Sequence, residues 1–479
     1  MNKSTLQDLV KGEFGRKIAY TSVETITEDN IVKVIGDTIG IFNKNVAVAK
    51  YLWNYKNGDQ PIRYREKTVR DDIVNKVVEN HAWEIVQFKN AQTNGEPIQY
   101  ISRSKDEQTS KAIDKFNDYV SGANKQVRDI SSGEWTSAVG TGFKAIQRSN
   151  DPEIPFRITV PTPLDTYIIY SATTGEPMLS VQRLKDINGK YYYQCFDNYF
   201  EYKVQNSQLV AFGIDELNKP VYKRLHLFGG IPIVEYPNNQ DRISDIELVI
   251  DMLDAINNYQ SNRLDAVEQF VSSWVKFINC EIDAETFAEM KRQGALMVKS
   301  TKDKDADVDI MTQELNQSQT QIAKEDIWQN ILTILAIPTR QEDGGGDRAG
   351  ATYLRNGWDF AKQRACIKDP YIVESEKRLA KVILTIIKNS KGENEIPIKM
   401  LDLDVKISHS PTDNLYTKVN SLALMLTSGV APKIAIKTCG LWSDSEKVYL
   451  QSKEYLDIKQ GYTQGKQADD VLETDNRVK

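Results

Sequence analysis

The sequence predicts an α+β chain in which helical and β-rich stretches come in separate blocks. Three observations carry that expectation. Apolar residues recur at steps of three and four through residues 31–146. The period changes to two between residues 156 and 236. It returns to the helical period in a run from residue 241 that meets no Gly or Pro before residue 278. The chain has 479 residues, 40% hydrophobic and 27% charged. That is the composition of a folded protein, with room for about two to four domains.

The net charge of −6 argues against a conventional high-affinity nucleic-acid binder, which would carry a basic patch. It leaves room for a protein that only lets DNA pass. Cys195, Cys280, Cys366 and Cys439 are far apart and show no paired spacing. That fits a reducing compartment, with neither a disulfide framework nor a zinc site. The N-terminus is polar, so no signal peptide is expected, and no apolar run is long enough to span a bilayer. The expected setting is the cytosol or something assembled in it.

Residues 1–30 are polar and read as an extended or poorly ordered arm. Ile31, Val34, Ile35, Thr38, Ile39 and Phe42 mark a helix over residues 31–55, which Asn57-Gly58-Asp59 ends. Val74, Val77, Val78, Trp83, Ile85 and Val86 mark a second helix, and residues 98–101 a short strand. A third helix covers residues 107–120. Residues 135–146 read as a fourth, in which Ala138, Gly140 and Gly142 allow close packing.

Strands are expected at residues 157–160, 167–170, 178–185, 191–196, 199–204, 209–212 and 222–227. Thr174-Gly175, Asn188-Gly189 and Asp197-Asn198 separate them as turns. Tyr191, Tyr192, Tyr193, Tyr199 and Tyr202 crowd this block. A stacking platform for single-stranded nucleic acid is one reading. Half-exposed structural tyrosines are the better one, because Lys and Arg are not expected to interleave on one face.

The long helix follows. Residues 243–274 alone would run roughly 48 Å at 1.5 Å per residue. Its apolar stripe fails midway, where Asn257, Asn258, Gln260, Ser261 and Asn262 put polar groups almost all round. A surface helix with a solvated middle fits this, as does a helix packed along its length with one wet face.

Next comes an acidic insertion at residues 280–313, with short strands expected at 295–299 and 308–311. Asp303, Asp305, Asp307 and Asp309 alternate through it, and Glu314 falls at the twelfth place of a calcium-loop pattern. Val308 occupies the sixth place, where such a loop needs Gly, so a solvated acidic hairpin fits better. A second helix spans residues 318–336, ended by Ile337-Pro338. The loop after it is Arg340, Gln341, Glu342, Asp343, Gly344, Gly345, Gly346, Asp347 and Arg348. Gly345 and Gly350 have phosphate-loop spacing with Thr352 at the hydroxyl place, but Ala351 stands where the lysine is required. Three consecutive glycines read instead as a pliant connector.

Residues 353–389 are helical in pattern, and Pro370 should kink that helix or start a new one near Asp369. Residues 400–408 alternate as a strand with Asp402 and Asp404 on its outward face, a solvent face more than a metal pair. Three short helices close the chain at residues 415–427, 431–438 and 444–458, before a polar tail. Only His81, His226 and His409 are present, no nucleophile elbow or dinucleotide fingerprint appears, and no His/Cys cluster has metal-ligand spacing. No cofactor, metal or enzymatic activity is expected.

Several motifs in this order belong together. They are Tyr55-Lys-Asn-Gly-Asp-Gln-Pro-Ile62, Asn94-Gly-Glu-Pro-Ile-Gln-Tyr100, the helix segment from Asp254 to Phe270, the Gly-rich loop with the kinked helix, and Ser428-Gly-Val-Ala-Pro432. The arrangement resembles the portal proteins of tailed bacteriophages, of the siphophage type, over about residues 30–460. The resemblance implies a portal fold. Residues 1–240 and 353–410 would be the wing, 241–279 and 314–338 the two stem helices, and 280–313 the clip. Residues 339–352 would be the tunnel loop, 411–460 the crown and 461–479 a tail.

It further implies a homo-oligomeric ring, usually of twelve copies, at one capsid vertex of the virion, assembled in the host cytoplasm. Double-stranded DNA would pass through it without sequence preference. The terminase large subunit and later a head-completion adaptor would dock at the clip, with Asp303, Asp305, Asp307 and Asp309 as candidates. Major capsid and scaffolding proteins would surround it, and no membrane would be involved. Arg340 to Arg348 would face DNA, and Asn257, Asn258, Gln260, Ser261 and Asn262 would be candidates for the channel wall. The competing classes are a nucleotide- or carboxylate-metal-dependent enzyme and a monomeric helical protein-binding module.

Overall fold

The computed structural model describes chiefly residues 14–271, 274–278, 307–311, 317–338, 357–409 and 415–453, apart from scattered positions within them. The chain enters as β1 (Ala19–Thr21), which pairs parallel with a later strand, so part of the expected loose arm is structured. Helix α1 (Ile31–Lys56) buries Ile31, Val34, Ile35, Phe42, Leu52 and Tyr55, the stripe its spacing predicts. Gly58, at φ 89°, turns the chain back in a left-handed conformation that suits glycine.

The second helix begins later than expected. Residues 73–80 are in neither helix nor strand, and α2 is His81–Asn94. Val74, Val77 and Val78 are β-branched, and side chains from a distant helix take up the backbone N–H groups of this stretch. Strand β2 (Gln99–Ser102) and α3 (Glu107–Gly122) follow. Asp106 caps α3 by accepting from the Thr109 N–H at 2.9 Å.

The expected fourth helix is a correction. Helix α4 is Lys125–Val139, Gly140 ends it at φ 94°, and β3 (Thr141–Arg148) begins at once. The small residues do serve close packing, Gly142 of a strand against a helix and Gly140 of the helix end against the loop at Arg242. A Cβ on Gly140 would lie 1.9 Å from the Arg242 carbonyl oxygen, and one on Gly142 2.5 Å from that of Ser132.

The β block largely follows its alternation. Strands β4 (Phe156–Thr159), β5 (Thr166–Ser171), β6 (Pro177–Lys185), β7 (Tyr191–Phe196) and β8 (Phe200–Gln205) stand close to their expected places. Short pieces follow as β9 (Gln208–Leu209), β10 (Gly213–Ile214), β11 (Pro220–Val221) and β12 (Lys223–Leu225). Strand β13 (Ile233–Pro237), not expected from the sequence, pairs with β3. The main sheet runs β1-β5-β6-β7-β8-β12 with β9 on β8, and a second runs β13-β3-β4. One core lies between α1 and the inner faces of β5 to β8, around Ile169, Leu179, Val181 and Cys195.

The long helix is shorter at both ends than its pattern suggests. A 3-10 turn at Glu247–Val249 leads into α5 (Ile250–Val271), about 33 Å long. Before it, Arg242 sits at φ 55°, incompatible with a helix. After it, Trp274–Ile278 is β14, antiparallel to β15 (Asp307–Met311). Trp, Val, Phe and Ile favour a strand where a partner is available, and their spacing of three and four hides that.

Helix α6 (Gln317–Leu335) packs on α5, and Ala336 at φ 52° ends it. The following helix breaks in two, as Pro370 requires. Helix α7 is Trp358–Cys366 and α8 is Asp369–Lys391, with Pro370 in its first turn where a missing N–H costs nothing. Strand β16 (Leu403–Lys406) pairs antiparallel with β2. Helices α9 (Leu415–Thr427) and α10 (Pro432–Cys439) follow, and residues 448–453 are helical.

Helix α8 crosses a second core shared with α3, β3 and β16. A buried charge cluster fixes it there. Glu376 accepts from Lys144 at 2.8 Å, Tyr100 at 2.6 Å and Tyr236 at 3.0 Å, and Lys125 lies 3.0 Å away. Burial disfavours the Glu376 carboxylate, but Lys125 and Lys144 outweigh that and hold its pKa far below the usual range. Such a set is costly to break because each remaining charge would be left buried and unpaired.

Candidate channel-forming unit

The polar middle of α5 has a specific use. The Asn257 Oδ1 accepts from the Glu79 N–H at 2.8 Å, and Ser261 Oγ from the Val77 N–H at 3.0 Å. Asp265 Oδ1 accepts from the Asn75 N–H at 2.7 Å and from the Asn75 amide at 3.0 Å. Residues 75, 77 and 79 therefore dock on helix residues 265, 261 and 257. The spacings agree: two residues of extended chain advance about 6.7 Å, and four residues of helix about 6.0 Å. The Asn257 amide group also donates to Gln60 Oε1, and Lys67 pairs with Asp265.

This narrows the wet face expected from the sequence. Asn257 and Ser261 have no exposure at all, because the chain's own segment at residues 75–79 covers them. Gln260 is half-buried and accepts from Lys324 at 3.2 Å, and Asn262 is exposed and accepts from Arg65. Of the exposed positions on α5, Asp251, Asn258 and Asn262 share one helical face, while Tyr259, Leu264 and Glu268 are exposed elsewhere around it.

Both long helices are rooted in the N-terminal block. At the start of α5, the Glu247 carboxylate accepts from the Gly15 and Ser244 N–H groups, each at 3.0 Å, and pairs with the buried Arg16. Burial draws the Arg16 pKa down despite that partner. Tyr55 donates to Asp254 at 2.8 Å. Burial and the neighbouring Asp251 push the Asp254 carboxyl up to about 6, against the Tyr55 bond.

Helix α6 is tied at two levels. His81 stacks on Trp328 at 4.1 Å between ring centres, and Lys324 pairs with Glu79. Lys89 donates to the Leu335 carbonyl at the helix C-terminus, where a cation suits the exposed dipole end. Burial nonetheless lowers its pKa to about 8, against the attraction of Asp245.

The other sequence-derived positions fall as follows. Asp307 and Asp309 lie on β15, in register with Ile278 and Lys276. Asp303, Asp305 and the whole stretch from Arg340 to Arg348, with Gly350, Ala351 and Thr352, lie outside the described residues. Asp404 is engaged by Lys377 at 3.1 Å and Arg103 at 3.3 Å. Cations lie beside two of the tyrosines, but Tyr191 and Tyr192 are successive residues of β7 and face opposite sides of the sheet. Lys203 sits 4.3 Å over Tyr192, and Arg183 and Lys185 lie 5.2 and 5.1 Å from the Tyr191 ring centre. Tyr202, however, is buried and donates to Asp197 at 3.1 Å, so the set is no open platform. Among the described residues, no helix is long and apolar enough to cross a membrane.

A family profile described as phage portal protein, SPP1 Gp6-like, matches residues 40–464, from within α1 past the last described helix. The chain belongs to that family. This phage portal protein finds no match among curated proteins. Among solved structures it is similar to a chain in the neck of an empty GTA particle computed with C6 symmetry. There the identity is 12%, over 77% of this chain and 89% of the other, with a TM-score of 0.43. A chain in the virion of a native gene transfer agent particle is similar at 11% identity, over 84% and 92%, also with a TM-score of 0.43.

Proposed function

We propose that this chain is the repeating subunit of a ring at one capsid vertex, and that α5 and α6 of each copy form the wall of a channel for double-stranded DNA. The match to the portal family along residues 40–464 carries this reading. A ring of head-to-tail contacts needs two different faces on each subunit. Helix α5 has one face fastened to residues 75–79 and another open, as such a wall requires.

The chemistry of the open stripe suits passage. Asp251, Asn258 and Asn262 are short and carry no cation of their own, and the one guanidinium described against them, that of Arg65, is engaged by Asn262 and Asp265. Multiple Lys or Arg contacts would release counterions and hold DNA in place, whereas translocation needs weak, sequence-blind contact. The net charge of −6 points the same way. Arg340 and Arg348 of the proposed tunnel loop would touch phosphates transiently.

The insertion at 280–313, including Asp303, Asp305, Asp307 and Asp309, would dock the terminase large subunit and later a head-completion adaptor. Residues 411–460 would face the capsid interior as the crown. Capsid and scaffolding proteins would contact the wing, and assembly would take place in the host cytoplasm. Native mass measurement tests the ring directly: particles near twelve times the 54.5 kDa chain support it. A stable monomer at micromolar concentration contradicts it.

A further inference from the structure

The joint between α7 and α8 brings together three side chains that sequence spacing keeps apart. Cys366 ends α7, Asp369 opens α8, and His409 lies three residues beyond β16. One ligand atom from each lies within 4.8 Å of the others. We propose that Cys366, Asp369 and His409 form a binding site for a divalent cation of the zinc class, with a fourth position open to water.

The histidine carries the argument. Its Nδ1 lies 2.9 Å from the Gln92 carbonyl oxygen, which can only accept, so Nδ1 bears a hydrogen. Its Nε2 then faces both oxygens of Asp369, at 2.8 and 2.9 Å. A neutral ring would aim a lone pair at a carboxylate there. Something positive must lie between them, either a proton or a metal ion. A backbone carbonyl accepting from the far ring N–H is the arrangement that orients metal-binding histidines, and it leaves Nε2 facing Asp369 as a co-ligand. The ring thus rests on the backbone of α2, and the Gln92 side chain donates to the Ala361 carbonyl at 2.9 Å, which ties that part of α2 to α7.

The third group decides which cation. A thiol beside an imidazole and a carboxylate suits a borderline ion such as Zn²⁺ rather than Mg²⁺ or Ca²⁺. The His409 side chain is 5% exposed and that of Asp369 25%, and Cys366 is exposed. The site therefore has an inner wall and an entry path. Tetrahedral N and O ligands at about 2.0–2.1 Å would stand about 3.3 Å apart, so His409 and Asp369 must part by roughly half an ångström. Asp369, the more exposed of the two, is the partner that would shift. A bound ion would clip the segment leading to the C-terminal helices onto the α7–α8 joint.

Cobalt(II) alone, titrated into the purified full chain, tests the site. The expected spectrum has tetrahedral bands and a thiolate-to-cobalt charge-transfer band, saturating at one ion per chain and displaced by zinc. Cys366→Ser abolishes the charge-transfer band, and His409→Gln and Asp369→Asn each weaken binding at least about tenfold. Independently of any variant, zinc slows alkylation of the peptide containing Cys366, read by mass spectrometry. The proposal is overturned if cobalt keeps its aqua spectrum, if the band survives Cys366→Ser, or if zinc leaves Cys366 alkylation unchanged. The first and last are what a bare imidazolium–carboxylate pair with a bystander thiol gives, and the second would place the cobalt at another cysteine.

Discussion

Replacing Asn257 by alanine tests the docking of residues 75–79 on α5 more sharply than any other single change. The substitution leaves two buried groups unmet, the Glu79 N–H and the Gln60 Oε1. An orphaned buried polar group costs about 1–3 kcal/mol. Two of them, partly relieved by a water entering the vacated space, should cost about 2–4 kcal/mol locally. At about 1.4 kcal/mol per factor of ten, amide exchange at residues 75–79 should quicken by roughly 30- to 1000-fold. Hydrogen exchange followed by mass spectrometry resolves this, since peptides covering 71–80 separate from those of α3 and α8, which should not change. Asn258→Ala, on the open stripe one residue away, is the control and should alter exchange there by less than threefold, within about 0.5 kcal/mol. Equal exchange in Asn257→Ala and the parent chain would show that helix side chains do not hold this segment, and the reasoning about the polar middle would fall.

Other consequences are as direct. Asp254 has a folded pKa of about 6 against an ordinary 3.8, so its ionisation opposes folding. The penalty is absent below about pH 4, grows between 4 and 6, and is complete above. Asp254→Asn, which keeps an acceptor for Tyr55, should therefore raise the melting temperature at pH 7.5 and have little effect at pH 4, a difference of about 1–3 kcal/mol. Equal gains at both values would refute that assignment. Gly140→Ala meets both a positive φ and the Arg242 carbonyl; a loss above about 3 kcal/mol and little soluble protein are expected. In packaging assays, deleting Gly344–Gly346 should impair packaging independently of salt if the loop acts by shape. Loss of DNA retention confined to Arg348→Ala would assign the role to charge, and no effect of either change would refute the tunnel-loop proposal.

How much was legible in the sequence depends on which partner lay across from each residue. Helix α1 follows from its own periodicity, because one face meets a core and the other meets water; β6 and β7 stand where alternation puts them, although Leu179, Ser180 and Val181 of β6 are all buried. The α7–α8 break follows from Pro370 alone. The pattern misleads where a polar residue is satisfied from afar. Asn257 and Ser261 read as part of a polar middle running almost all round the helix, yet residues 79 and 77 dock on them, as residue 75 does on Asp265. The same distant contact turned an expected helix at Val74–Val78 into non-helical chain. Gly140 and Gly142 signalled close packing correctly, but a spacing of small residues does not say whether a helix or a strand approaches. Trp274–Ile278 satisfies both periods, and only its pairing with Asp307–Met311 decides. Cys366, Asp369 and His409 lie too far apart in the chain for any ligand spacing to reveal them.

A side-chain-resolution electron-microscopy map of the purified protein bears on the main proposal most directly. It should show a closed ring in which α5 runs beside the central axis, with Asp251, Asn258 and Asn262 turned toward the opening and Asn257 and Ser261 turned into the subunit. A map placing α5 on the outer rim, or with Asn258 packed between neighbouring copies and far from any opening, would contradict it.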